Sequence, residues 1–207
     1  MKLYTGILLA TAAVVLIMPV ADANAQAVAH RHGSRPNAAG GTTTARGTAV
    51  AGPNGGQAVH GRAVATDSAG DVKSVRGTAF SGPNGTKGVR GASNTVSADG
   101  DATHKSGGFV QGPNGARAGR AGETTLNPDG SATHQSGFRA SGANGSIQST
   151  GSSQRGANGS ASGERTTTAT GKNGNTYNGA TEWEKGQGAQ HAGTCTDPSG
   201  NVIPCKK

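Results

Sequence analysis

The tetrapeptide that decides the fold is Gly52-Pro53-Asn54-Gly55, which recurs as Gly82-Pro83-Asn84-Gly85, Gly112-Pro113-Asn114-Gly115 and Gly142-Ala143-Asn144-Gly145. Successive copies are thirty positions apart. Halfway between them lie further turn sequences, which end at Gly70, Gly100 and Gly130. Glycine and asparagine tolerate positive φ, and proline presets φ for the second position of a turn, so these sequences predict chain reversals. The chain therefore has a predicted turn at every fifteenth position.

The period continues beyond Gly145 through Gly159 and Gly174, after fourteen and then fifteen positions. Between the turns lie segments such as residues 57–66, which are rich in Thr, Val, Ala and Ser and contain no proline. Runs of this kind bounded by turn signals predict strands. Most of the segments also contain a glycine near the middle, which suits a bulge, a bend or a second corner of a coil. These glycines are Gly61, Gly77, Gly91, Gly107, Gly122 and Gly137.

The pattern predicts an all-β fold of Gly-rich 15-residue repeats. An extended antiparallel β-meander and a β-solenoid with one coil per repeat both fit, because each repeat would contact only its neighbours. A largely disordered chain is the alternative, and low hydrophobicity favours it. A fixed period is typical of repeat folds, however, and the net charge of +8 is modest for this length. We therefore expect ordered repeats.

The composition argues against a conventional enzyme. Glycine supplies 37 of 207 residues, and aromatic residues are 3%. From residue 26 onward there are ten Val, three Phe, two Ile, one Leu, one Trp and one Tyr. Such a chain lacks the apolar residues for a single packed core and for the apolar walls of a large pocket. We expect no catalytic residues, no cofactor and no metal site.

Residues 1–25 have the pattern of a secretory signal peptide. Lys2 is followed by an apolar run over residues 6–18, and Ala-x-Ala cleavage sequences end at Ala23 and Ala25. Cleavage is expected after Ala25. The predicted mature protein is exported, to the periplasm, the cell surface or the extracellular space, and contains no transmembrane span.

The rest of the chain divides into three predicted parts. Residues 26–45 are a flexible leader, residues 46–174 are the β-repeat array, and residues 175–207 are a C-terminal cap. The cap contains Cys195 and Cys205, which bracket a strong Asp-Pro-Ser-Gly turn signal. A hairpin there would form a disulfide that adds roughly 2–3 kcal/mol in the chain-entropy description.

One basic residue recurs in each predicted strand of the array. Successive members are separated by sixteen, fourteen, fourteen, fifteen and fifteen positions, in phase with the turns. Stacked strands would align these side chains into a ladder that binds a polyanion weakly, although solvation of the sheet is the simpler role for them. The six residues are Arg46, Arg62, Arg76, Arg90, Lys105 and Arg120. The expected partners are anionic polysaccharide, lipopolysaccharide or extracellular DNA, without sequence-specific recognition of nucleic acid.

Taken together, these features favour an exported structural or adhesive repeat protein of the bacterial envelope or extracellular matrix. A self-assembling, amyloid-like matrix subunit is one alternative, because in-phase strands can pair edge to edge. A periplasmic ligand- or metal-binding module centred on residues 175–207 is another. His60, His104 and His134 are expected to face solvent from the strands, with His104 and His134 too far apart to share a metal ion.

Overall fold

The computed structural model describes residues 27–205, which form thirteen strands and no helix. The predicted signal peptide lies outside the described residues. The strands are β1 (Ala27–Pro36), β2 (Thr42–Ala51), β3 (Gln57–Thr66), β4 (Val72–Ser81), β5 (Lys87–Val96), β6 (Ala102–Gln111), β7 (Arg117–Leu126), β8 (Ala132–Gly142), β9 (Gly145–Arg155), β10 (Ala161–Gly171), β11 (Thr176–Glu184), β12 (Gly188–Thr196) and β13 (Val202–Ile203).

All thirteen strands belong to one open sheet, in which each strand pairs with the next along the chain. Every pairing is antiparallel. The predicted all-β class is confirmed, and the strand order is that of the extended meander. At about 4.8 Å between neighbouring strands, the sheet is about 58 Å long across its strands. In this part of the chain there is no helix of the length and apolarity that crossing a membrane requires.

From β1 to β7, the repeat is a ten-residue strand followed by a five-residue connection. In residues 52–56, the N–H of Gly55 donates to the carbonyl oxygen of Gly52 at 3.2 Å, and the N–H of Gly52 donates to that of Gly56 at 2.7 Å. This is a turn followed by a residue in the left-handed region, the three-residue hairpin loop that ends in a glycine bulge. Pro53 fits the second position because its φ is preset.

Glycine occupies every position of positive φ in the described residues, and each of the twelve connections contains or borders at least one such glycine. The period found in the sequence is therefore the period of left-handed residues. An L-amino acid other than glycine would be strained at these positions. They are Gly40, Gly55, Gly70, Gly85, Gly100, Gly115, Gly130, Gly145, Gly159, Gly174, Gly186, Gly188 and Gly200.

Carboxylate and amide side chains brace several turns from within. Oδ1 of Asp197 accepts the backbone N–H of Ser199 and of Asn201, both at 2.9 Å, and its Oδ2 accepts the side-chain amide of Asn201 at 2.9 Å. The Asn201 side-chain hydrogen bond, followed by its backbone N–H, lowers the pKa of Asp197. The hydrogen bond to Ser131 lowers the pKa of Asp129 in the same way. Each carboxylate therefore stabilises its turn at pH values above the ordinary pKa of the group. This stabilisation is lost as the pH falls through the lowered pKa of the folded state.

The sheet is a single layer without a core. No hydrophobic side chain in residues 27–205 is buried, and Ser149 is the one buried polar side chain there. Aromatic rings lie instead on glycines of the neighbouring strand. A methyl group placed on Gly88 would lie 2.8 Å from Cε1 of Phe80, and one on Gly163 would lie 2.8 Å from Cε2 of Trp183. These rings cover backbone where no side chain exists.

The structure differs from the predicted flexible leader at residues 26–45. Residues 27–36 form β1, and residues 42–45 begin β2. Gly40 has a φ of 76°, so the first turn lies one period before Gly55. Asn37 supports this turn, because its Oδ1 accepts the N–H of Ala39 at 3.0 Å and of Gly41 at 3.1 Å.

The glycines near the middle of the strands lie in a regular ladder. Gly47, Gly61, Gly77, Gly91 and Gly107 are paired directly from β2 to β6. The pairing continues without an inserted residue through these strands, so the glycines form a strip of bare backbone in place of a bulge or a corner.

Residues 175–205 extend the same sheet, and the predicted disulfide between Cys195 and Cys205 is present, with 5.3 Å between the Cα atoms. Tyr177 and Trp183 lie on one face of β11, as the even spacing requires. The final strand, β13, has two residues, and the disulfide links the segment that follows it to β12.

The requirement for positive φ can be tested at Gly115, where a methyl group would meet no atom within 4 Å. Gly115→Ala is expected to lower the free energy of unfolding by about 1–2 kcal/mol through backbone strain alone. Gly61→Ala is the matched control, because Gly61 is also free of neighbours within 4 Å and has no positive φ. It should leave stability unchanged or raise it by up to about 1 kcal/mol. Urea unfolding followed by circular dichroism measures both, and equal losses would contradict the assignment of the turns.

Candidate arginine-face binding site

The register divides the sheet into two faces. Directly paired residues of antiparallel strands lie on the same face, and successive residues alternate. Even-numbered residues of β1–β8 share one face, here called the arginine face. Gly142 pairs with Gly145, so this face continues on the odd-numbered residues of β9–β13. The remaining strand residues form the opposite face.

Three of the predicted ladder residues are direct neighbours. Arg46 pairs with Arg62, and Arg62 pairs with Arg76, on β2, β3 and β4. His32 pairs with Arg46 and extends the row to β1. All four side chains are exposed. Directly opposed side chains have Cβ atoms about 4.5–5.5 Å apart, so like charges stand next to one another along this row.

Arg90 and Arg120 lie on the same face in the adjacent row. Arg90 pairs with Thr78 and Gly108, and Gly108 pairs with Arg120. Gly108 separates the two arginines, and a methyl group placed on it would lie 3.2 Å from Cβ of Arg90. Five of the six predicted ladder residues therefore share one face.

Lys105 does not belong to this group. It lies on the opposite face, where it pairs with Ser93 and Glu123. Its Nζ is 3.1 Å from Oε1 of Glu123, the one ion pair in residues 27–205. Lys105 follows Arg90 after fifteen positions, and an odd interval moves a side chain to the other face of this sheet.

Charge is divided unequally between the faces. The strands place seven arginines and no carboxylate on the arginine face. These are Arg46, Arg62, Arg76, Arg90, Arg120, Arg155 and Arg165. The opposite face has seven basic residues and four glutamates, a formal charge of +3. The glutamates are Glu123, Glu164, Glu182 and Glu184. The described aspartates lie in the turns that connect the ends of neighbouring strands.

All six histidines also lie on the arginine face, which the sequence reasoning did not find. Five of them are held by cross-strand hydrogen bonds of Nδ1 to a Thr or Asn side chain. The pairs are His30 with Thr48 (3.0 Å), His60 with Thr78 (3.0 Å), His104 with Asn94 (2.6 Å), His134 with Thr124 (2.8 Å) and His191 with Thr181 (2.8 Å). His104 and His134 both pair with Thr124, so they lie two strands apart. The described residues contain no group of three or more His, Cys, Asp or Glu arranged for a metal ion.

Four aromatic side chains complete the arginine face, while Phe109 lies on the opposite one. Phe80, Phe138 and Trp183 are 39–40% exposed, and Tyr177 is half-buried. The hydroxyl of Tyr177 lies 2.8 Å from Nε2 of His191. The face therefore combines cationic, aromatic and hydroxyl groups, the combination that suits an anionic ligand with apolar surfaces.

The opposite face has a different surface. An open depression of about 730 Å³ follows its glycine strip and includes Gly91, Gly107 and Gly137. The Lys105–Glu123 ion pair lies at its wall, and Glu164 lines it as well, so the charged groups there have a net negative charge. Its shape comes from missing side chains, and it lacks the group of arginines found on the arginine face.

The cost of the arginine row can be measured. Arg62 lies between Arg46 and Arg76, so Arg62→Thr is expected to raise the free energy of unfolding by about 0.2–1 kcal/mol through relief of repulsion. The gain should shrink with added salt, which screens exposed charges. Arg120→Thr is the control, because Arg120 faces Gly108 and Phe138. A gain of equal size in the control would mean that threonine stabilises the strand irrespective of charge.

No family model, curated protein sequence or solved structure matches this chain at a significant level. The chemistry of the two faces is thus the basis for a function.

Proposed function

We propose that this protein is an exported structural repeat protein of the bacterial envelope or matrix that binds an anionic polymer through its arginine face. The observation that carries the proposal is the placement of seven arginines on one face of a single-layer sheet whose strands contribute no carboxylate to that face. A polymer with regularly spaced charges can contact many of these side chains at once. Each such contact releases counterions from the polymer, and the affinity increases with the number of contacts.

The energetics of the sheet support a bound polyanion. Opposed arginines destabilise a sheet, and this sheet has no core to offset the cost. An anionic polymer lying across the strands would neutralise the row that contains Arg46, Arg62 and Arg76. Its binding would then stabilise the folded state by mass action.

Export is supported by the disulfide. Bonds such as Cys195–Cys205 persist in oxidising compartments and are rare in the cytosol. This agrees with the signal peptide that the sequence predicts over residues 1–25. Periplasmic, surface and extracellular locations all fit this proposal.

The edges of the sheet favour polymer binding over amyloid-like self-assembly. Edge strand β1 contains Arg31, Arg35 and Pro36, and charge and proline on an edge oppose pairing with another strand. At the other end, β13 pairs only with Cys195 and Thr196, and residues 188–194 of β12, which form the rest of that edge, contain no large apolar side chain. Neither edge offers a long apolar template.

Charge reversal on one face tests the proposal. The triple variant Arg62→Glu, Arg76→Glu and Arg90→Glu is expected to weaken binding of a double-stranded DNA fragment, the probe polyanion, by at least about 100-fold at low salt. It should also reduce the slope of log K against log salt by about one per arginine. Fluorescence anisotropy at several salt concentrations gives both quantities.

The matched control for this experiment is Lys73→Glu, Lys87→Glu and Arg117→Glu. It makes the same change in net charge on the opposite face. Affinity in the control should fall less than about tenfold, because only long-range attraction is lost. Equal losses in the two variants would mean that net charge alone attracts the polymer, which would defeat the proposal.

A further inference from the structure

We propose that Trp183 and Arg165 form a binding site for one uronic-acid unit of an acidic polysaccharide. This inference rests on the proposed function and names the class of polymer. It assigns the recognition of the sugar itself to the C-terminal third of the arginine face, away from the arginine row of β2–β4.

The site occupies two neighbouring rows across four strands. One row reads His134, Ser153, Gly163 and Trp183, from β8 to β11. The other row reads Ser136, Gly151, Arg165 and Thr181 over the same strands. Residues of these rows line a depression of about 240 Å³ on the surface, together with Ser152 and Glu164, which are strand positions of the opposite face and are hydrogen-bonded to each other. The volume lies below the range of about 300–1,000 Å³ for drug-sized ligands, so it suits a single ring.

Two planar side chains lie against the glycines at the centre of this site. A methyl group on Gly163 would lie 2.8 Å from Cε2 of Trp183, and one on Gly151 would lie 3.4 Å from Cζ of Arg165. Trp183 remains 39% exposed and Arg165 is exposed, so both side chains are accessible to a ligand. The indole and the guanidinium therefore belong to neighbouring rows of the same face.

Arg165 is held in place without a charged partner. Its Nη1 donates to Oγ of Ser149 at 3.1 Å, and its Nη2 donates to Oγ of Ser136 at 3.4 Å. No carboxylate in the described residues forms an ion pair with it. The N–H groups that remain can bind a carboxylate, and such charge-assisted bonds are about twice as strong as neutral ones. The hydrogen bonds to the two serines hold the guanidinium in place before a ligand binds, which reduces the side-chain entropy that is lost on binding.

The chemistry of an anionic sugar matches these groups. A pyranose ring has an apolar C–H side that can cover an indole, while its hydroxyls need donors and acceptors. Ser153, Thr181 and His134 offer both at the rim of the depression. A carboxylate on the ring would meet Arg165. Double-stranded nucleic acid has its bases stacked internally and cannot use the indole, which favours a polysaccharide over DNA for this site.

Trp183 is also the reporter for the test, because it is the one tryptophan of the chain. Purified protein is titrated with a hexamer of galacturonic acid while tryptophan emission and its quenching by acrylamide are recorded. We expect a saturable change in emission and reduced quenching. A neutral glucose hexamer should bind at least about tenfold more weakly. Arg165→Gln should weaken hexagalacturonate at least about tenfold.

Arg139→Gln is the control for lost charge, because Arg139 lies on the opposite face of β8 and should leave the titration unchanged. Trp183→Phe, followed by calorimetry, should retain part of the affinity, since a smaller ring can still stack. The proposal is overturned if hexagalacturonate leaves the emission unchanged, if the neutral hexamer binds equally well, or if Arg139→Gln weakens binding as much as Arg165→Gln. An equal response to single-stranded DNA or polyphosphate would also overturn it, because the site would then recognise charge alone.

The same titration separates this site from the proposed function. The triple variant at Arg62, Arg76 and Arg90 should keep the Trp183 response to the hexamer, although it loses DNA binding. If the wild-type protein binds DNA through the arginine face but Trp183 stays silent with uronate, the sugar site fails and the polyanion proposal stands. If Trp183 responds but the two faces do not differ in DNA binding, the polyanion proposal fails and the sugar site stands.

Discussion

The ladder of backbone hydrogen bonds between antiparallel neighbours is the interaction on which everything else in this molecule depends. In most domains a packed core supplies much of the stability, and the ladder only satisfies polar groups. In residues 27–205 no hydrophobic side chain is buried, so cohesion comes from strand pairing, from turns that fit their connections and from rings lying on glycine. The left-handed glycine of each connection fixes where one strand ends and the next begins. Both faces are consequently free for surface chemistry.

The length of the connections decides which side chains share a face. A five-residue connection joins paired residues that are six positions apart, such as Ala51 and Gln57. Because this separation is even, odd-numbered residues pair with odd-numbered ones, and even-numbered with even-numbered, so each group stays on one face. Even intervals, of fourteen or sixteen positions, thus keep a side chain on its face, whereas an interval of fifteen transfers it. Arg46, Arg62, Arg76 and Arg90 follow one another after sixteen, fourteen and fourteen positions. The deviations from a strict repeat are what keep the arginines together.

The positions of the turns could be predicted from the sequence, whereas the face on which each side chain lies could not. The spacing of the turns could be read from the Gly, Asn and Asp residues, because glycine adopts positive φ and Asn and Asp side chains hydrogen-bond to the backbone of a turn. The first turn was not predicted, although Asn37-Ala38-Ala39-Gly40 has the same form as Asp67-Ser68-Ala69-Gly70 and Asn37 accepts backbone N–H groups as Asp67 does. The face of the sheet on which a side chain lies could not be assigned without knowing the register of the strands. Lys105 was therefore grouped with residues of the other face, and the pairing of Trp183 with Gly163 had no sequence signal beyond small residues spread over the chain.

The unequal division of charge is the last step from structure to function. On the opposite face the sheet pairs Lys105 with Glu123, so this backbone readily places a carboxylate beside a cation on the adjacent strand. The arginine face has the same strand spacing, yet no strand places a glutamate on it, and Arg46, Arg62 and Arg76 are neighbours. Solvation alone would be served equally well by mixed charges, which also avoid the repulsion. The proposed binding of an anionic polymer would account for both the absence of carboxylate partners on that face and the alignment of the arginines.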